Sequence, residues 1–120
     1  MAVALTANIQ KHIDEYERRV GRHYLDDWDY ELHPMVWLRE DGSFLTFGII
    51  GDTLEIDIGC GVPIIEGFKG IHSMAKKLGL KRIASYTDSR NPKAYARLAK
   101  CSYEERTNEN GTYYYFTKEV

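Results

Sequence analysis

Cysteine is scarce in this chain: Cys60 and Cys101 are the only two, far apart and in no CxxC pair. That spacing excludes a disulfide framework and a zinc ribbon, and fits two reduced thiols in a reducing compartment. No apolar run approaches the roughly 18 residues that a bilayer crossing needs, so no membrane role is expected. The opening MAVALTANIQKHIDE lacks the basic start and long apolar stretch of a secretory signal, which makes the cytoplasm the expected location. Internal repeats, low-complexity tracts and linker-like Pro/Gly/Ser stretches are also missing. With 120 residues at 43% hydrophobic content, the chain is read as one domain, 1–120, around one core. His12, His23, His33 and His72 form no ligand spacing, so no metal is expected.

What is present is a segregation of charge that the net value of -2 conceals. Residues 1–68 carry 5 basic and 13 acidic residues, 69–100 carry 9 and 1, and 101–120 carry 2 and 4. Two solvated faces of opposite sign would explain this simply. The basic block, however, follows directly on a glycine-rich turn, and that placement points to an anionic ligand. Nucleic acid ranks last among such ligands, because no reader motif accompanies the lysines and the whole chain is slightly acidic.

The order of elements follows from periodicity. Ile9, Ile13, Tyr16 and Val20 recur at helical spacing, which predicts an amphipathic helix from Thr6, as its cap, to Arg22; Val3 and Leu5 alternate in a candidate short strand ahead of it. YLDDWDYELHP breaks both periods and reads as an irregular loop with room for one helical turn. Met35–Arg39, Phe44–Ile50 and Thr53–Gly59 read as antiparallel strands joined by Asp41-Gly42 and Gly51-Asp52. Pro63 opens a helix that ends at Gly79. A strand over Lys81–Thr87, a helix over Pro92–Lys100 capped by Asn91, and a hairpin around Asn110-Gly111 complete the list. The fold class is α+β: a mixed, mostly antiparallel sheet flanked by helices, with one parallel crossover from the Thr53 strand to the Lys81 strand.

This order, together with two local signatures, resembles the GNAT superfamily of N-acetyltransferases over nearly the whole chain. Val62-Pro63-Ile64-Ile65-Glu66-Gly67-Phe68-Lys69-Gly70-Ile71 stands where the family has V-x-P-x-x-[QR]-G-x-G-x-[GA]. Asn91-Pro92-Lys93-Ala94, followed by Lys100-Cys101-Ser102-Tyr103, is similar to its N-x-x-A…K-x-G-F. The closing stretch NPKAYARLAKCSYEERTNENGTYYYFTKEV is also similar to short GNAT-like proteins of bacteriophages, which would place the chain in a host cytoplasm. The resemblance implies acetyl-coenzyme A as co-substrate. Its pyrophosphate is expected over Gly67, Phe68, Lys69 and Gly70, on amides around residues 66 to 71 left open to solvent, and its pantetheine arm along Ile58, Cys60 and Val62, with Asn91 nearby. Glu66, Lys69, Ile71 and Ser102 depart from the family pattern. The plainer alternative is that Gly67 and Gly70 permit close helix-to-sheet packing.

For chemistry, the resemblance points to a carboxylate on the strand before the turn. Glu55 and Asp57 share one face of TLEIDIG by two-residue alternation, opposite Leu54, Ile56 and Ile58, and either fits a general base. A solvent-facing polar side of the sheet fits equally well. The family's acid tyrosine, seven residues after the asparagine, is replaced here by Leu98; Tyr95, one turn earlier, is the remaining candidate, with a packed core ring as its rival reading. The acidic, aromatic loop bearing Asp27, Trp28 and Asp29 is expected to receive an amine, on a small molecule or a protein. The competing reading is a GNAT-like binding protein without catalysis, such as a virion component or a host-protein inhibitor, for which a homodimer would be a natural assembly.

Overall fold

The computed structural model describes residues 2–87, 91–109 and 111–120. Its helices are α1 (Ala2–Val20), α2 (Tyr24–Asp27), α3 (Ile64–Lys77) and α4 (Pro92–Ala99). Its strands are β1 (Met35–Leu38), β2 (Phe44–Ile50), β3 (Thr53–Cys60), β4 (Arg82–Thr87), β5 (Ser102–Asn108) and β6 (Gly111–Glu119), in the order β1-β2-β3-β4-β6-β5 of one six-stranded sheet. The expected strands are present within a residue or two at each end, and α2 is the single turn anticipated inside the loop. Ala2–Leu5 is helical, not a strand. Alanine and leucine extend a helix at little cost, and the alternation of Val3 and Leu5 is too brief to oppose them.

Contacts divide the chain into two compact units that interleave in sequence: Met1–Gly48 with Ile56–Pro63, and Ile49–Glu55 with Ile64–Val120. In the first, α1 buries Ile13 and Tyr16 against Phe44, Ile58 and Cys60, with Ile9, Val20, Tyr24 and Trp28 around them. Burial of each such side chain contributes about 1.5–3 kcal/mol before entropy is counted. β1 pairs antiparallel with β2 from Met35 opposite Phe47 to Leu38 opposite Phe44. The stretch before β1 is fastened to β2 at Gly48, where an added Cβ would overlap the Leu32 carbonyl oxygen.

In the second unit, β6 lies between β4 and β5 and runs antiparallel to both. Phe116, fully buried at the centre of β6, meets the Tyr95 ring of α4 at 4.3 Å, and Tyr95 meets Phe68 of α3 at 5.9 Å. α3 stops where expected: Gly79 takes φ +73° while Leu80 N–H returns to the Ala75 carbonyl at 2.9 Å, a Schellman closure. α4 starts as expected, with the Asn91 side chain accepting from Ala94 N–H at 3.2 Å. The β5–β6 hairpin is present, although Asn110 of its expected Asn110-Gly111 turn lies outside the described residues.

Candidate functional site

β3 carries both candidate bases, and the structure gives them different neighbours. Asp57 is buried, and its Oδ2 accepts from the Asp29 amide at 2.6 Å while His33 Nδ1 lies 3.2 Å away. His33 is itself only 1% exposed; its amide bonds the Asp29 carbonyl, and its own carbonyl accepts from Trp28 Nε1 at 2.7 Å. Asp57 therefore pins the acidic loop to the strand. A carboxylate engaged in this way and closed to solvent has no route to an incoming amine, so the expectation of Asp57 as a base gives way to an anchoring role.

Glu55, half-buried on the same face of β3, accepts from the Tyr115 hydroxyl at 2.9 Å. Burial, followed by the hydrogen bond to Glu55, pushes the Tyr115 hydroxyl up to about 12. Arg106 lies over the Tyr115 ring at 3.9 Å and pairs with Glu104. Tyr115 and Arg106 escaped the sequence reading. The run Tyr113-Tyr114-Tyr115-Phe116 looks like strand filler, and the Tyr115 hydroxyl bonds a residue 60 positions away.

The glycine motif follows the expected strand-to-helix course but not the expected exposure of its amides. β3 ends at Cys60, Gly61 turns the chain at φ +81°, and α3 begins at Ile64, directly after Pro63. Gly67, Phe68, Lys69 and Gly70 thus lie inside α3 and not in the turn before it. Their amides serve the helix ladder, and Phe68 points into the core. The helix opens beside Pro63, as the sequence predicts, and Phe68, Ile71 and Ala75 bury the face of the run that includes Gly67. The amides that open the helix belong to Ile64 and Ile65, whose side chains are exposed. Lys69, one turn further along, is exposed as well.

Other expected contacts are also spoken for. Ile58 N–H donates to Thr46 Oγ1 at 3.1 Å inside the first unit, so it offers no donor to a pantetheine arm. Cys60 is fully buried, and burial pushes its thiol up to about 12. Val62 is half-buried between strand and helix. Gly61 packs against His12: a Cβ there would overlap the ring at Nδ1, while Nε2 bonds the Asp41 carbonyl at 3.1 Å. Asn91 is the cap of α4. Tyr95 is held in the core: burial raises its hydroxyl pKa, opposed by a hydrogen bond to Ser85. The Tyr95 ring packs between Phe68 and Phe116, as in its rival reading, while the residue as a whole is half-buried.

Of the loop residues, Asp27 faces inward and not towards a substrate. Burial raises its carboxyl, but hydrogen bonds from Arg22 and from the Tyr16 hydroxyl outweigh that and hold it below the usual carboxylate range. Trp28 packs on the α1 core. Asp29 Oδ1 accepts from the Leu32 amide at 3.3 Å. Asp26, Tyr30 and Glu31 remain exposed and give the loop its acidic surface. No group of three or more metal-ligating side chains occurs among the described residues, and no described helix is long and apolar enough to cross a membrane.

No protein-family model and no curated protein matches the sequence. Solved structures do. One, described as a "putative acetyltransferase" from Agrobacterium tumefaciens, superimposes with a TM-score of 0.54 at 12% identity, over 72% of each chain. Another, an acetyltransferase from Bacillus cereus ATCC 14579, gives 0.48 at 16% identity over 89% of this chain and 90% of the other. At such identities the first likeness speaks for architecture alone: the chain has a GNAT-like α+β fold, a mixed and mostly antiparallel six-stranded sheet with helices.

Proposed function

We propose that this chain is an acyl-coenzyme A-dependent N-acetyltransferase that passes acetyl from acetyl-coenzyme A to an amine. The observation that carries the reading is the strand-to-helix junction, where β3 gives way within a few residues to the exposed opening turn of α3. In the GNAT-like fold this is where a pyrophosphate is cradled. The Ile64 and Ile65 amides and the positive end of the helix dipole are suited to an anion, and Lys69 stands one turn along. Only this part of the expected cradle fits the ligand, since Gly67 to Gly70 are taken by the helix.

The co-substrate supplies the acetyl thioester, and the chain supplies proton handling and placement. Glu55 is the proposed base: half-buried, it accepts one hydrogen bond from Tyr115 and can receive a proton from the acceptor amine as nitrogen bonds to the carbonyl carbon. The carbon–sulfur bond then breaks and the thiolate takes a proton from solvent. The Glu55 carboxylate favours a cationic acceptor, an amine-bearing small molecule or a protein amino group.

Isothermal titration with coenzyme A tests the first step. Saturable heat is expected, and Ile64→Pro, which removes one amide at a position where proline suits a helix, should weaken binding severalfold without unfolding the chain. Absence of both heat and thermal shift at millimolar ligand would end the proposal. The second reading, a non-catalytic GNAT-like binding protein such as a virion component or host-protein inhibitor, is favoured by the absorption of Gly67–Gly70 into α3 and the enclosure of Tyr95. It expects no coenzyme A binding and a stable complex with another chain or a second copy.

A further inference from the structure

A depression of about 440 Å³ lies within the second unit where α4 passes into β5 beside the end of β6. Three cations border it: Arg97 from the last turn of α4, Lys100 at its cap, and Lys118 from β6. The single carboxylate on its border is Glu119. Three other arginines are matched: Arg22 with Asp27 at 2.7 Å, Arg82 with Asp52 at 3.2 Å, and Arg106 with Glu104. Among the described residues, Arg97, Lys100 and Lys118 enter no ion pair. Unmatched like charges held together repel one another, so their arrangement favours an anion that would relieve the repulsion.

Two further features bear on the same spot. Lys100 adopts φ 54° and ψ 51°, the left-handed cap position where glycine is usual, and is the one non-glycine residue with positive φ among those described. Ser102 and Thr117 also border the hollow. A neutral apolar ligand would leave these groups unanswered. Phosphate chemistry would satisfy them, with several acceptor oxygens and a charge of two or more.

We propose that this hollow binds a small phosphate-bearing anion through Arg97, Lys100 and Lys118. The site is separate from the proposed coenzyme A cradle and stands whether or not the chain transfers acetyl groups. Inorganic pyrophosphate is the probe. Titrated into the full-length, ¹⁵N-labelled chain at low ionic strength, it should give saturating amide shifts at Lys100–Ser102 and Thr117–Glu119. Affinity should fall about tenfold in Arg97→Ala and in Lys118→Ala, with unfolding midpoints close to that of the parent, and should fall again as salt is raised. Cys101 offers a second readout: it is half-buried in the hollow, whereas Cys60 is fully buried, so saturating pyrophosphate should slow iodoacetamide alkylation at Cys101 alone. The proposal is overturned if shifts fail to saturate, if they spread equally over Lys69, Lys76 and Lys77, or if the two alanine variants bind as the parent does.

Discussion

Asp57 holds the key contact at the scale of single residues. Its carboxylate serves the Asp29 amide and His33 at once, so Asp57→Ala would strand a part-buried amide and a buried imidazole together. A loss of about 3 kcal/mol is expected in a denaturant melt, with a smaller loss for Asp57→Asn, which keeps an acceptor oxygen. Glu55→Gln should leave stability within about 1 kcal/mol of the parent while abolishing amine acetylation. Asp27 provides a pH test. Its carboxyl lies below the ordinary aspartate value, so its stabilisation is fully present above about pH 4 and drains away as pH falls through the depressed value. The gap in melting temperature between the parent and Asp27→Asn should therefore be widest near neutrality and close as pH falls through the depressed value. Two-residue alternation was enough to place Glu55 and Asp57 on one face. Their separate fates were hidden, because the partners come from 28 and 60 residues away and no local pattern encodes such pairings.

Elements were more legible than sites, because periodicity and caps are local. Asn91, Gly79 and Pro63 each mark a boundary as read from sequence, and Asn91→Ala should cost about 1 kcal/mol through the lost α4 cap. Gly48 sets a sterner demand than any boundary residue. Gly48→Ala would drive a methyl group into the Leu32 carbonyl, and melting should report a loss well beyond the usual strand preference for alanine over glycine. The opening of α3 beside Pro63 was legible in the sequence, but the fate of the amides of Gly67–Gly70 was not. The resemblance implied amides around residues 66 to 71 open to a ligand, but in this chain Phe68, Ile71 and Ala75 form the buried stripe of the helix, and its ladder takes up the amides of Gly67–Gly70.

For the whole molecule, the α+β class and the strand sequence followed from the succession of periods, and the strand order β1-β2-β3-β4-β6-β5 agrees with the predicted crossover and final hairpin. That order leaves β1 and β5 at the two margins of the sheet. β5, with Glu104, Glu105 and Arg106 all exposed, is charged enough to discourage a stray strand from docking. β1 is not: Val36 and Leu38 are 48% and 45% exposed on MVWL, a short apolar border with no charge of its own. Precipitation on warming should therefore begin there, by edge-to-edge templating between molecules, and a gatekeeper lysine at position 36 should lengthen the lag before turbidity while leaving the melting temperature nearly unchanged.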